Sequence, residues 1–363
     1  MPFRCCKNPP FSPVCVPDAL QGPPTSAASL NRHRRPVFWN LRQCLPWLVG
    51  ENRIGSVEAI LKGILHRNSM SNITKNLLVL SGMTSDRNTV LKFCEPKDTP
   101  RHTLFDRLLN GTYRKPFLVE DLEYRAMCFA LDGCTQTEMR LDDPGALANE
   151  YTRKMMGFLV FKARPKKVLM IGLGGGSIAK YCHRHLPDTE FTAVEIDPDV
   201  IAMRPHFYVP PDDERFKVIN ADGADYVARL AAAGEHSDVI LVDAYDQFGI
   251  ARSVVERAFV ENAKRILGSN GVFVLNLVGE VDECTAYVET IRQVFDSPIV
   301  IAMKRGGNLV VFAGNALLDP RHVPLRLRNA QRVNDRLGLF FPTLIQHLHE
   351  SHRQLALQSL PCE

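Results

Sequence analysis

The sequence predicts an α/β fold: a Rossmann-like, seven-stranded, mostly parallel sheet preceded by a small antiparallel β-unit. Three observations carry that expectation. From Val168 onward, short apolar strands alternate with helical stretches, the pattern of a parallel sheet with helices on both faces. The first of these strands runs straight into a glycine-rich turn, VLMIGLGGGS over residues 168–177. The last two, 299–303 and 308–314, are joined by Arg305-Gly306-Gly307, a hairpin turn that adds an antiparallel pair.

Taken in order, residues 1–55 read as a disordered, basic, Pro-rich leader. Residues 1–50 hold nine of the 24 prolines, and six Lys/Arg against Asp18 give them a net charge of +5. An organelle-targeting leader, or a later start at Met70 or Met83, are the alternatives. Residues 56–115 read as a helical or irregular lead-in. Within it, Ser56 can cap a helix over 56–66 that carries Val57, Ile60, Leu61, Ile64 and Leu65 on one face. At 116–145 the period switches to two. Pro116–Glu120 and Tyr124–Leu131 read as strands, Asp132-Gly133 as a hairpin turn, and Thr135–Leu141 as the returning strand. A helix over 146–161 leads into the catalytic domain, 146–315, with strands expected at 168–171, 191–194, 216–219, 238–242 and 271–277 before the closing pair. Residues 316–363 read as a helical extension packed on the outside.

Composition narrows the function. The net charge of +4 is concentrated in the leader. The rest of the 363-residue chain, with 38 basic and 39 acidic side chains, stands at −1, which argues against a nucleic-acid groove. No apolar run reaches membrane-spanning length. Ten cysteines are scattered without a CxxC pair, so reduced thiols in a cytoplasmic protein are expected. Cys128 and Cys134 face each other across the predicted hairpin without an expected bond. His183 with His185, and His347, His349 and His352, read as solvated helix faces, and no metal is expected.

The chemistry gathers at strand ends, where parallel sheets bind their ligands. Gly172, Gly174 and Gly176 let a nucleoside approach the backbone, and the helix beginning at Ser177 offers free N–H groups. Glu195 ends the second strand, where an acid can hold both ribose hydroxyls. Asp222-Gly223 follows the third, where a carboxylate can accept from an adenine amino group and the glycine leaves room for the ring. Asp243 ends the fourth strand, DVILVD, with Asp246 three residues on. Each of these acids could instead cap the helix that follows. A dehydrogenase would share the glycines and the acid at 195, but not the Asp-Gly, the paired aspartates or the closing hairpin.

The run DGCTQTEMRLDDP, EYTRKMM, VLMIGLGGGS, VEIDPDVI, NADGADYV, DVILVDAYDQFG, GVFVLNL and GGNLVVFAG resembles the spermidine synthase (polyamine aminopropyltransferase) family, more narrowly its bacterial spermidine synthase-like branch, over about residues 116–315. The resemblance implies a methyltransferase-type sheet. It implies transfer of an aminopropyl group from decarboxylated S-adenosylmethionine to a polyamine such as putrescine, with release of methylthioadenosine, in a homodimer. By position, Glu195 would hold the ribose and Asp222 with Gly223 the adenine. Gln136 would lie near the nucleoside, and Tyr151 close to a substrate-holding tyrosine. Asp243 and Asp246 would flank the acceptor amine, as base and anchor. Three departures stand out. Ser177 occupies the position of the family aspartate that binds the aminopropyl ammonium, Gln247 replaces a proline, and residues 304–308 lack a gating tyrosine. Ser177 keeps open a second reading, methyl transfer from intact S-adenosylmethionine to an amine. A non-catalytic nucleoside-binding protein is the third, and retention of both Asp243 and Asp246 argues against it.

Overall fold

Strand Val272–Leu277 consists of six buried residues in a row, which only a strand covered on both faces can accommodate. The computed structural model places it near the centre of a seven-stranded sheet and describes residues 78–81, 90–96, 98–129, 135–246, 249–303, 307–315 and 317–358. The predicted leader, the helix 56–66, the Asp132-Gly133 turn, Gln247 and Arg305-Gly306 lie outside the described residues.

The chain first builds an antiparallel sheet. Strands β1 (Leu78–Ser81), β2 (Val90–Phe93), β3 (Phe117–Glu120), β4 (Tyr124–Cys128) and β5 (Thr137–Arg140) pair in sequence order, with helix α1 (Arg101–Leu109) between β2 and β3. This unit is larger than the 116–145 hairpin expected from sequence. Two strands, LVLS and VLKF, fall in the stretch read as helical or irregular, because four residues are too few for a period of two to stand out. The described part of the hairpin pairs Tyr124 with Arg140 and Met127 with Thr137.

The unit is apolar on both faces. Leu91, Phe93, Phe117, Val119, Ala126 and Cys128 close over Leu104 and Leu108 of α1 as a small core of their own. Leu118, Met127 and Met139, on the opposite face, enter the main core. Period-two alternation thus docks the unit against the larger domain.

Helices α2 (Glu150–Met155) and α3 (Phe158–Phe161) lead into that domain. Then come β6 (Lys167–Ile171), α4 (Ser177–His185), β7 (Glu190–Glu195), α5 (Pro198–Ala202), β8 (Phe216–Asn220), α6 (Gly223–Ala232) and β9 (Val239–Val242). A two-residue hairpin, β10 (Tyr245–Asp246) with β11 (Gly249–Ile250), precedes α7 (Arg257–Leu267), β12 (Val272–Leu277), α8 (Val281–Val294), β13 (Ile299–Ala302) and β14 (Leu309–Ala313). The order is β13-β14-β12-β9-β6-β7-β8. Strands β12, β9, β6, β7 and β8 run parallel, and β14 joins antiparallel to β12 and β13. The expected sheet and its closing pair are both present. Alternation again separates two cores: Val168 and Met170 of β6 join the one holding α4, while Leu169 and Ile171 join the one holding α7. Helices α9 (Val323–Leu337) and α10 (Pro342–Gln358) follow the sheet, anchored where Asn329 Nδ2 donates to Val160 O at 3.1 Å.

Lys180 fastens α4 to the segment behind it. It is 7% exposed, and its Nζ donates to Phe207 O at 2.7 Å and sits 3.3 Å from Met139 Sδ of β5. Burial, with a smaller contribution from Arg125, pushes its pKa down to about 8. A lysine depressed in the folded state binds fewer protons there than in the unfolded chain, so stability rises as pH climbs from about 8 toward the unfolded value. The shift corresponds to about 3 kcal/mol at most. Denaturant unfolding between pH 7 and 10 is expected to show this rise in the wild type and a flatter profile in Lys180→Met; equal slopes would remove Lys180 as its source.

Candidate active site

The site forms where β6 and β9 end side by side. Gly172 adopts φ +90°, and a Cβ there would lie 2.1 Å from the Asp243 carbonyl oxygen, so no side chain fits between the two strand ends. The glycine run then turns through Gly174 (φ +53°) and Gly176 (φ +63°) into α4, whose first turn no side chain caps. Above Gly174 the nearest atom to an added Cβ is Thr137 Cβ, 3.9 Å away, leaving the backbone open to a ligand. Ser177 is the half-buried first residue of α4.

Glu195 ends β7 and is 8% exposed. Its Oε2 accepts from Leu173 N at 2.8 Å and its Oε1 from Asp197 N at 3.0 Å. Burial raises its pKa, and these N–H donors oppose the rise. Gly174 adds a further backbone donor, so the carboxylate steadies the glycine loop, and its two oxygens together still have capacity for another donor.

Asp222 begins α6, and its Oδ1 accepts from Ala224 N at 2.7 Å and Asp225 N at 3.1 Å. It is a helix cap, the alternative role weighed from sequence, and the cap uses only one oxygen. At Gly223 an added Cβ would meet Ile171 Cγ2 at 2.3 Å, so the packing of α6 against β6 by itself requires glycine here.

Asp243 is the hub. Its Oδ1 accepts from Asn276 Nδ2 at 2.9 Å, and Tyr151 of α2 supplies a second side-chain hydrogen bond. Asn276, 2% exposed in mid-β12, accepts from Asn308 Nδ2 at 2.9 Å through its own Oδ1. With Oδ1 taken, the Nδ2 of Asn276 is turned toward Asp243. Burial raises the Asp243 pKa, and the Asn276 and Tyr151 donors oppose it. Burial and the neighbouring Asp243 charge hold the Tyr151 hydroxyl well above its usual range. Tyr151, whose spacing alone was not decisive, is thus brought onto Asp243.

Asp246 stands exposed on the β10–β11 hairpin, one residue beyond Tyr245. Tyr245 fixes that hairpin: its hydroxyl donates to Asn276 O at 2.9 Å and accepts from Val278 N at 2.6 Å. Gln136 reaches across from the antiparallel sheet, its Nε2 donating to Asp246 O at 3.5 Å. Gln136 therefore sits at the hairpin that carries Asp246, Tyr151 is bonded to Asp243, and Glu195 and Asp222 stand at the neighbouring strand ends.

Asn276, Asn308 and Tyr245 were not singled out from sequence. The available signal was one amide inside the otherwise apolar strand VFVLNL, since a buried amide demands partners. No group of three or more His, Cys, Asp or Glu among the described residues could hold a metal. No helix among them is long and apolar enough to cross a membrane.

Comparison with known proteins places this geometry. The profile of the spermine/spermidine synthase domain matches residues 148–302. The polyamine aminopropyltransferase of Chromobacterium violaceum is 35% identical over 223 residues, which is 61% of this chain and 84% of that protein. The human eEF1A lysine and N-terminal methyltransferase is 41% identical over 123 residues, covering 31% of this chain and 18% of that protein. A solved spermidine synthase, in complex with the transition-state analogue AdoDATO, aligns over 68% of this chain and 82% of its own with 20% identity and a TM-score of 0.49. On its match to the polyamine aminopropyltransferases, the chain belongs to the spermine/spermidine synthase family of transferases.

Proposed function

We propose that the protein transfers the aminopropyl group of decarboxylated S-adenosylmethionine to an amine of a polyamine such as putrescine. The observation that carries this reading is Asp243: a half-buried carboxylate just after β9, whose side-chain hydrogen bonds among the described residues come from neutral groups, Asn276 and Tyr151. A carboxylate without a permanent cation is free to draw in a substrate ammonium and take its proton. With that proton on Asp243, the neutral acceptor nitrogen attacks the aminopropyl carbon bonded to sulfur. The C–S bond breaks with its electron pair on sulfur, methylthioadenosine leaves as a neutral thioether, and the product nitrogen remains a secondary ammonium. The sulfonium is already electrophilic, so positioning supplies most of what is needed.

In this reading Gly172, Gly174 and Gly176 bring the nucleoside onto the backbone. Glu195 accepts from the ribose hydroxyls, and the Asp222 oxygen not used in capping accepts from the adenine amine. Asp246 anchors the acceptor, and Gln136 holds the hairpin that carries it. The reading extends to a cytoplasmic homodimer that acts on small polyamines without nucleic acid, membrane or metal. The nucleoside-binding catalytic unit is 146–315, and the sheet before it supplies Gln136.

Ser177 favours one alternative, transfer of methyl from intact S-adenosylmethionine, because serine places no charge where the aminopropyl ammonium would sit. The products separate the two: methylthioadenosine from aminopropyl transfer, S-adenosylhomocysteine from methyl transfer. Incubation with each cofactor and putrescine is expected to yield methylthioadenosine; S-adenosylhomocysteine alone would reverse the assignment. Ser177→Asp is expected to shift preference toward the decarboxylated cofactor by about 10- to 100-fold, the scale of one charged hydrogen bond.

Asp243→Asn is expected to lower kcat by about 10²- to 10⁴-fold while methylthioadenosine affinity stays close to wild type; unchanged turnover would end the base assignment. Asn276→Leu removes a donor that favours the ionised carboxylate, so the Asp243 pKa rises further. The acid limb of the kcat/KM profile is then expected to move up by roughly one pH unit, the worth of one such bond. A limb that stays in place would show that Asn276 does not tune the base.

A further inference from the structure

Between β7 and β8, cationic side chains converge on one short stretch of backbone. Lys180 Nζ of α4 donates to Phe207 O at 2.7 Å. Arg125 Nη1 of β4 donates to His206 O, and Arg204 Nη2 donates to Pro210 O. The stretch turns at Tyr208, whose φ of +54° makes it the one non-glycine residue with positive φ among the described residues. A side chain in that left-handed region is strained, and the strain persists only where the surroundings over-determine the backbone. Carbonyls on either side of such a turn have no ladder to join, so charged donors satisfy them instead. Farther along, His183 Nε2 of α4 lies 2.9 Å from Asp213 Oδ2, so α4 grips the segment at a second point.

The turn brings two apolar side chains to the glycine run. Phe207 is fully buried and Val209 is 6% exposed, and both belong to the main core. A Cβ added to Gly175 would lie 2.9 Å from Phe207 Cδ1 and 2.6 Å from Thr137 Cγ2, and one added to Gly176 would lie 2.5 Å from Val209 Cγ2. The run is therefore seated on these side chains from the core side, while Gly174 stays open. Lys180 is bonded to both partners of this contact. Its backbone N–H donates to Gly176 O at 2.8 Å, and its ammonium holds Phe207 O. A binding loop keeps its N–H groups on target only if the groups behind it are fixed.

We propose that Lys180 is a positioning residue for the donor: by holding Phe207 and Val209 against Gly175 and Gly176, it sets the glycine run in the geometry that receives the nucleoside. Buried behind the run, it acts through the loop rather than on the ligand. The inference rests on reading the glycine run as the nucleoside's seat, and deepens that reading by naming what holds the seat in shape.

The test is calorimetric titration of the full-length protein with methylthioadenosine, for the wild type, Lys180→Met, Val209→Ala and the double variant. Lys180→Met is expected to lose about tenfold in affinity, the scale of one hydrogen bond to a charged group. Val209→Ala, which touches no buried polar group, is expected to lose about threefold, and the double variant less than the product of the two, because both act through one contact. In turnover with decarboxylated S-adenosylmethionine and putrescine, the donor KM of Lys180→Met is expected to rise with its Kd, while kcat and the putrescine KM stay within about twofold. A merely structural role lowers the folded fraction, and with it kcat and the calorimetric stoichiometry, without changing the Kd of the molecules that remain folded. Unchanged methylthioadenosine affinity in folded Lys180→Met would overturn the proposal, as would strict additivity in the double variant. Should Lys180→Met fail to fold, Val209→Ala decides, and unchanged affinity there overturns the route through Gly176. Wild-type protein that binds neither methylthioadenosine nor S-adenosylhomocysteine would overturn the nucleoside reading itself, and the proposal with it.

Discussion

The structure of the site depends on solvating one half-buried carboxylate without neutralising it. Asp243 sits where β6 and β9 converge so closely that a Cβ on Gly172 would lie 2.1 Å from its carbonyl oxygen. Burial there penalises the charge, and a lysine or arginine would be the direct remedy. A permanent cation, however, would occupy the place of a substrate ammonium and draw the carboxylate's pKa down. The protein uses neutral donors instead, Asn276 Nδ2 and the Tyr151 hydroxyl. An amide dipole stabilises the negative charge only when its N–H end faces the carboxylate. Asn308 secures that orientation by occupying the Asn276 oxygen. A polar residue in the core of β12 is thereby accounted for, since one of its side-chain bonds serves Asp243 and the other fixes the amide that does.

The same requirement organises what surrounds the strand ends. Tyr245 spends its hydroxyl on the backbone of Asn276 and Val278, so the hairpin carrying Asp246 is tied to the strand that orients Asp243. The antiparallel unit approaches from the other side. Because it is apolar on both faces, one face is satisfied by α1 and the other must dock on the main core through Leu118, Met127 and Met139. Docking sets β5 beside the glycine run through Thr137 and Met139, and so fixes where Gln136 stands. Lys180 holds the back of this arrangement, joining α4 to Phe207 and Met139 at the cost of a buried, partly titrated amine.

Much of this was legible in the sequence, for identifiable reasons. The order of strands and helices after Val168 follows from alternation, and the strand-end acids are visible because topology assigns ligands to that edge of a parallel sheet. The Asp243 network was not, because its members come from four distant stretches: Tyr151, Asp243, Asn276 and Asn308. No local period links them, and the antiparallel register of β12 with β14, which pairs Leu277 with Leu309, is what brings the two asparagines together. Gly223 shows the same limit: an Asp-Gly at a strand end suits a ligand, while the contact its missing Cβ would make with Ile171 on β6 exists only in three dimensions. Strands β1 and β2 escaped notice because four residues each carry too little pattern to compete with an irregular reading.

The two halves of the cleft differ in how far the protein has already satisfied its own polar groups. On the nucleoside side, Glu195 accepts from Leu173 N and Asp197 N, and Asp222 from Ala224 N and Asp225 N. Those carboxylates are held in place before any ligand arrives, and little reorganisation is left for binding to impose. In the proposed reading these carboxylates meet the adenosine part that both candidate cofactors share, so they do not discriminate between a methyl donor and an aminopropyl donor. Ser177 adds no charge to that choice. Asp243 differs from these acids, because its side-chain donors are the neutral Asn276 and Tyr151 groups rather than backbone N–H groups. A carboxylate met by neutral side chains keeps its charge for a cationic ligand, and in the proposed reading the chemistry of transfer follows from that charge.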